Sequence, residues 1–141
     1  MSRSGYSEDL DSWDLIRWRG RVASAMRGKR GQLFLQELLK ALDAMPEKAL
    51  IVDELETEEG VCAIGALGRS RGLDMRTIDP EDPGQISAAF NIAEPLAQET
   101  VYENDEGGLR PETPEQRYVR MRAWAASCLQ RFGTVNSTSF H

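Results

Sequence analysis

The stretch QLFLQELLKALDAMP, residues 32–46, carries the clearest helical periodicity in the chain. Its apolar side chains recur at three- and four-residue spacing and share one broad face: Phe34, Leu35, Leu38, Leu39, Leu42 and Met45. Charged and amide side chains occupy the opposite face, and Pro46 ends the helix. A face this wide predicts contact with several neighbours, and it also allows a homodimer in which a second subunit covers part of it.

The preceding segment predicts a second amphipathic helix that begins near Ser12. Its apolar stripe again follows three- and four-residue spacing: Leu15, Trp18, Val22 and Met26. Arg19 lies near this stripe, so its charge must reach solvent or find a partner. The sequence GKRG, residues 28–31, is predicted to end the helix, because two glycines so close together disfavour helix interior. Residues 1–11 are polar and predict a flexible N-terminal segment.

Three further helices are predicted downstream, over residues 83–90, 95–103 and 114–132. Asp82 and Pro83 suit a helix start, and Pro95 forces a break over residues 91–94. The sequence TPEQ, residues 113–116, is a capping box with proline in the first helical position. Gly133 is predicted to end the last helix, which leaves residues 134–141 as a disordered tail.

The predicted fold is a mostly α, compact single domain of five or six short helices over residues 12–133, with at most a minor β element. The segment ALIVDEL, residues 49–55, is ambiguous between a short strand and a helical turn. The length of 141 residues suits one domain, and 40% hydrophobic with 28% charged residues is typical of a globular protein. Two cysteines exclude a disulfide framework, and no apolar run reaches the length of a membrane helix. We therefore expect a cytoplasmic protein with no membrane partner.

The glycine-rich stretch GVCAIGALGRSRG, residues 60–72, is the first candidate for chemistry. It lacks the lysine and hydroxyl of a phosphate-binding loop and the GxGxxG order of a dinucleotide site. Cys62 falls near a predicted helix N-terminus, where a thiolate would be activated, but the single histidine is His141 at the end of the predicted tail. Small residues here favour a short helix in close contact with a neighbour, with Cys62 and Cys128 as buried packing residues.

Metal and cofactor sites are also not predicted. One histidine and two distant cysteines give no zinc spacing, and ENDEGG, residues 103–108, lacks the alternating ligands of a calcium loop. The carboxylate runs single out no acid–base pair. We therefore expect a protein that is not an enzyme, with no catalytic, cofactor or metal residues.

The charge distribution points to a contact surface. The net charge is −6, but residues 1–31 hold seven Lys/Arg against four Asp/Glu, a local charge of +3, while residues 32–141 carry −9. The candidate partner- or anion-binding residues are Arg17, Arg21, Arg27, Lys29 and Arg30, with Asn104 and Asp105 of an acidic loop as a second contact.

Three interpretations of the basic cluster stay open at this point. The arginines contact a protein partner, or pair internally with the acidic body while Trp13 and Trp18 join the core. Alternatively, the interleaved tryptophans and cations bind nucleic acid or a nucleotide, using the first helix and the GKRG loop.

Several segments also resemble a recurrent set of uncharacterised proteins from bacteriophages and prophages. The shared landmarks are RGKRGQLFLQELLKALDAMPEK, DELETEEGVCAIGALGRSRGLDM, IDPEDP, AFNIAEPLAQETVYENDE and ETPEQRYVRMRAW, which span most of residues 27–124. CAIGAL with YENDE is similar to a broader group of small bacterial proteins of unknown function. The resemblance implies a phage or prophage origin and a shared helical fold, and no catalytic residue comes with it. We expect an accessory protein that binds a protein partner, such as a host or anti-phage defence factor.

Overall fold

The structure, a computed structural model, describes residues 12–137, with side chains described for residues 13–133. The described residues form six α-helices, one short 3-10 helix and a two-stranded hairpin. In chain order they are α1 (Ser12–Arg27), α2 (Lys29–Ala44), β1 (Glu56–Thr57), β2 (Gly60–Val61), α3 (Ala63–Arg71), the 3-10 helix (Met75–Thr77), α4 (Pro83–Phe90), α5 (Glu94–Glu106) and α6 (Pro114–Ser137). The predicted mostly α fold with a minor β element is confirmed.

Helix α2 is the hub of the fold, because it packs against α1, α3 and α6. Phe34, Leu35, Leu38 and Leu42 are almost completely buried along its inner side. Tyr118 of α6 reaches across to this helix and donates its hydroxyl to the carbonyl of Leu42 at 2.5 Å. The broad apolar face predicted from the sequence is therefore covered within one subunit. The homodimer stays a prediction, and this face no longer argues for it.

Capping hydrogen bonds lie at several of the helix ends that the sequence predicts. Asp82 accepts hydrogen bonds from the backbone of Gly84 and Gln85 at the start of α4, and Asn91 closes that helix in the left-handed conformation. At α6, Thr113 and Gln116 cap each other's backbone N–H groups at 3.1 and 2.9 Å. The predicted capping box is confirmed.

Three boundaries differ from the predictions. Gly28 alone separates α1 from α2, so Lys29, Arg30 and Gly31 belong to the first turn of α2, not to a loop. Residues 49–55 form neither a strand nor a helical turn. Single backbone hydrogen bonds hold this segment, from the N–H of Leu50 to the carbonyl of Pro114 in α6 and from the N–H of Ile51 to the carbonyl of Val61 in the hairpin. Helix α6 continues through Gly133 to Ser137, so the helix end predicted at Gly133 is wrong. Residues 138–141 and the predicted flexible segment 1–11 lie outside the described residues.

The glycine-rich stretch forms the closest packing in the core. A side chain at Gly65 would overlap the carbonyl oxygen of Leu55 and place its Cβ 2.8 Å from the carbonyl carbon. At Gly68 a Cβ would lie 2.6 Å from the sulfur of Met75. Cys62 is 1% exposed, and its Sγ accepts a hydrogen bond from the backbone N–H of Gly65 at 3.3 Å. The interpretation of this stretch as core architecture is confirmed.

Candidate partner-binding surface

Helix α1 divides its residues between the core and solvent. Val22 and Met26 are buried, while Arg17, Arg21 and Arg27 lie on the exposed side. This division follows from the helical period, because the charged positions fall between the apolar positions of the stripe. The structure therefore places three of the predicted contact residues on one helix surface.

Two large apolar side chains lie on the same exposed side. Trp13 is 71% exposed and Ile16 is 62% exposed. The interpretation that placed Trp13 in the core is wrong, because most of its side chain is exposed to solvent. Trp18 is half-buried against the core. We call the surface formed by Trp13, Ile16, Arg17, Arg21 and Arg27 the α1 face.

The arginines of α1 differ in their partners. Arg17 pairs with Asp14 at 2.9 Å on the helix surface, and Arg19 pairs with Glu99 of α5 at 3.0 Å. The carboxylate of Glu99 is nearly buried, so Arg19 compensates a charge that is costly to leave alone. Arg21 instead stacks over the Trp18 ring, with its guanidinium carbon 5.5 Å from the ring centre. Within the described residues, no carboxylate pairs with Arg21 or Arg27.

Lys29 and Arg30 extend the positive surface into the first turn of α2. Both are exposed, and the Arg30 guanidinium donates to the side-chain oxygen of Asn91 at 3.3 Å. The first turn of α2 holds no acidic residue. Since the N-terminal end of a helix already carries partial positive charge, the two cations add to the same field. The five predicted cations therefore lie along α1 and its junction with α2.

A groove of about 490 Å³ opens beside the α1 face, bounded by α1, α5 and α6. Its floor includes Val22, Met26 and Cys128, and its mouth carries Arg27 and Arg131. Both guanidiniums stack on the Phe132 ring, at 5.8 and 5.0 Å from its centre. Burial raises the pKa of Cys128 to about 12, so this thiol stays protonated at neutral pH. Arg131 and Phe132 were not identified from the sequence, because only the tertiary fold brings them beside Arg27.

Asn104 and Asp105 do not form the predicted acidic loop, because both lie in the last turns of α5. Asn104 is 1% exposed, and its amide donates to the carbonyl of Ile51 at 2.9 Å and accepts from the N–H of Ala63 at 3.0 Å. Its side chain therefore joins three parts of the core and is not available to a partner. Asp105 is half-buried and accepts from the amide of Asn104 at 2.8 Å.

A second cleft of about 700 Å³ lies beside this end of α5, between Asp53 and Arg117. Glu112 and Arg117 of its lining belong to an internal network, since Arg120 joins Glu112 at 2.7 Å and Arg117 lies 3.3 Å from the same carboxylate. The hydrogen bond from Arg120 lowers the pKa of Glu112, whereas burial raises the pKa of Glu103 beside it. Arg120 of α6 also donates to the carbonyls of Glu103 and Asn104, so these charges hold α5 and α6 together.

Comparisons with protein-family models, with curated proteins and with solved structures gave no match for this chain. Over the residues that the structure describes, no group of three histidine, cysteine or carboxylate side chains has the arrangement of a metal site. Within the same range, every helix is too short or too polar to span a membrane. The α1 face combines the exposed side chains of Trp13 and Ile16 with Arg21 and Arg27, which have no carboxylate partner among the described residues.

Proposed function

We propose that this protein is a non-enzymatic phage or prophage accessory protein that acts in the bacterial cytoplasm by binding a protein partner through the α1 face. The observation that carries the proposal is the exposure of Trp13 and Ile16 on the same helix as Arg21, which has no carboxylate partner among the described residues. Protein interfaces favour aromatic and arginine side chains in this combination, because they supply contact area and directed hydrogen bonds. Inhibition of a host or anti-phage defence factor is the role that the phage resemblance supports.

Affinity capture from a bacterial host lysate tests this proposal. The wild-type chain is expected to retain a stoichiometric protein, and the Arg17→Glu/Arg21→Glu variant is expected to lose it. The Lys40→Glu/Arg110→Glu variant makes the same charge change at two exposed positions outside the α1 face, so it should retain the protein. Equal capture by all three variants, or capture of nothing at stoichiometric level, contradicts the proposal.

A second candidate function is the binding of single-stranded nucleic acid or a nucleotide through Arg17, Arg21, Arg27, Lys29 and Arg30. It is favoured by the stacking of Arg21 on Trp18 and by the exposed ring of Trp13, on which a base can stack. The net charge of −9 over residues 32–141 opposes it, because most of the surface repels phosphates.

Fluorescence titration with a short oligothymidylate tests this second function. Binding should weaken steeply as salt rises, since phosphate contacts release counterions. It should also be lost in Arg21→Ala/Arg27→Ala. Absence of binding at low salt, or binding unchanged by these substitutions, removes the nucleic-acid function and leaves the protein-partner proposal in place.

A further inference from the structure

The groove between α1, α5 and α6 has the features of a site for a side chain or helix from outside the chain. Its volume is about 490 Å³, and its floor is apolar at Val22, Met26 and Cys128. Trp124 of α6 is half-buried and forms part of the wall. The paired side chains of Arg19 and Glu99 also line the groove, so the apolar floor is flanked by charge and favours a group that is apolar on one side only.

The charges at the mouth of the groove decide what kind of group it accepts. Arg19 is paired with Glu99, so its charge is compensated within the fold. Arg27 and Arg131 both stack on Phe132 and have no carboxylate partner among the described residues. Two guanidiniums held against one ring repel each other, and an anion placed beside both would relieve that repulsion. The mouth therefore favours a carboxylate.

The wall formed by α1 leaves room for a helix. Gly20 lines the groove, and a Cβ added there would meet no atom within 4 Å. Ala23 is the next groove residue on the same wall, and Ile16 and Trp13 continue the line toward the start of α1. The positions 13, 16, 20 and 23 follow the three- and four-residue spacing at which one helix packs along another.

We propose that this groove binds an acidic amphipathic helix of the protein partner. The apolar side of that helix covers Trp13, Ile16 and the groove floor, and one of its carboxylates lies between Arg27 and Arg131. The inference rests on the proposed function and names the chemistry of the partner. A second copy of α1 is a poor occupant, because its own arginines would approach Arg27 and Arg131.

The test uses the full chain, labelled with ¹⁵N, and a synthetic amphipathic peptide with leucines on one helical face and glutamates on the other. Addition of this peptide should shift the indole N–H signals of Trp13 and Trp124. The same peptide with lysines in place of the glutamates should bind at least about tenfold more weakly, because it presents cations to the guanidiniums. Failure of the glutamate peptide to bind, or equal binding of the two peptides, overturns the inference.

Two variants test whether the peptide binds in the groove. Arg27→Glu/Arg131→Glu should weaken binding at least about tenfold, while Lys40→Glu/Arg110→Glu should leave it within about twofold. Gly20→Leu keeps every charge and fills the groove from the open position at residue 20, so it should weaken binding about tenfold without lowering the unfolding temperature. Peptide affinity unchanged in either groove variant contradicts the proposed site.

The outcomes separate this inference from the proposed function. Lysate capture that is lost in Arg17→Glu/Arg21→Glu but intact in Arg27→Glu/Arg131→Glu and Gly20→Leu preserves the α1 face as an interface and overturns the groove. Displacement of the glutamate peptide by oligothymidylate at low salt would assign the groove to nucleic acid and overturn the acidic helix as its occupant.

Discussion

Glycine has opposite surroundings at two positions of the molecule: at Gly65, in the contact between α3 and Leu55 that we call the seam, and at Gly20, on the exposed edge of α1. At Gly65 the neighbouring backbone occupies the space of a side chain, whereas at Gly20 that space is empty. At the seam a glycine is required by the approach of another segment. At the edge the glycine faces open space among the described residues. The contrast shows that Gly65 lies in a tightly packed interior, whereas Gly20 lies on an open surface that a partner can approach.

The largest expected effect is at the seam. Gly65→Ala should lower the free energy of unfolding by about 3 kcal/mol or more, because the new methyl group overlaps the carbonyl of Leu55 and the backbone must shift. Chemical denaturation monitored by circular dichroism measures this change. A loss below about 1 kcal/mol would mean that the seam is looser than the structure has it.

Asn104 extends the seam into α5 and gives the next largest effect. Asn104→Ala leaves the carbonyl of Ile51 and the N–H of Ala63 without their side-chain partners, so we expect a loss of about 2–3 kcal/mol. Asp105→Asn is the matched control, because it changes the next residue and keeps its shape. A larger loss in Asp105→Asn than in Asn104→Ala would contradict the structural role of Asn104.

The sequence predicts the parts of the fold that local patterns specify. The periodicity of residues 32–46 and the capping box at Thr113 are such patterns, and both agree with the structure. The prediction at Asn104 fails because a run of charged residues usually indicates a loop, and no local signal shows that its amide reaches Ile51. In the same way Arg131 joins the groove only through the crossing of α1 and α6, which periodicity does not give.

The raised pKa of Cys128 predicts how the stability of the groove floor depends on pH. Its pKa in the folded chain is about 12, against about 8.5 in an unfolded chain, so the folded state holds the proton more tightly. The stability that the protonated thiol contributes is therefore complete below about pH 8.5 and is lost as the pH rises from there toward about 12. The unfolding free energy of the wild type should fall more steeply than that of Cys128→Ala between about pH 8.5 and pH 10. Parallel slopes would show that the thiol is accessible to water.

Substitution of Gly20 should change the free energy of unfolding least of all, and the direction of that change is what tests the open groove. Gly20→Ala should raise the free energy of unfolding by about 0.5–1 kcal/mol, because alanine suits an exposed helix interior and no atom lies within 4 Å of the added Cβ. The same substitution at Gly65 is expected to be strongly destabilising, so the two variants differ only in what lies beyond the glycine. Thermal unfolding of both, in the same buffer, measures the difference. A loss of stability in Gly20→Ala would mean that another segment covers this side of α1, and the groove would then not be free to bind a partner.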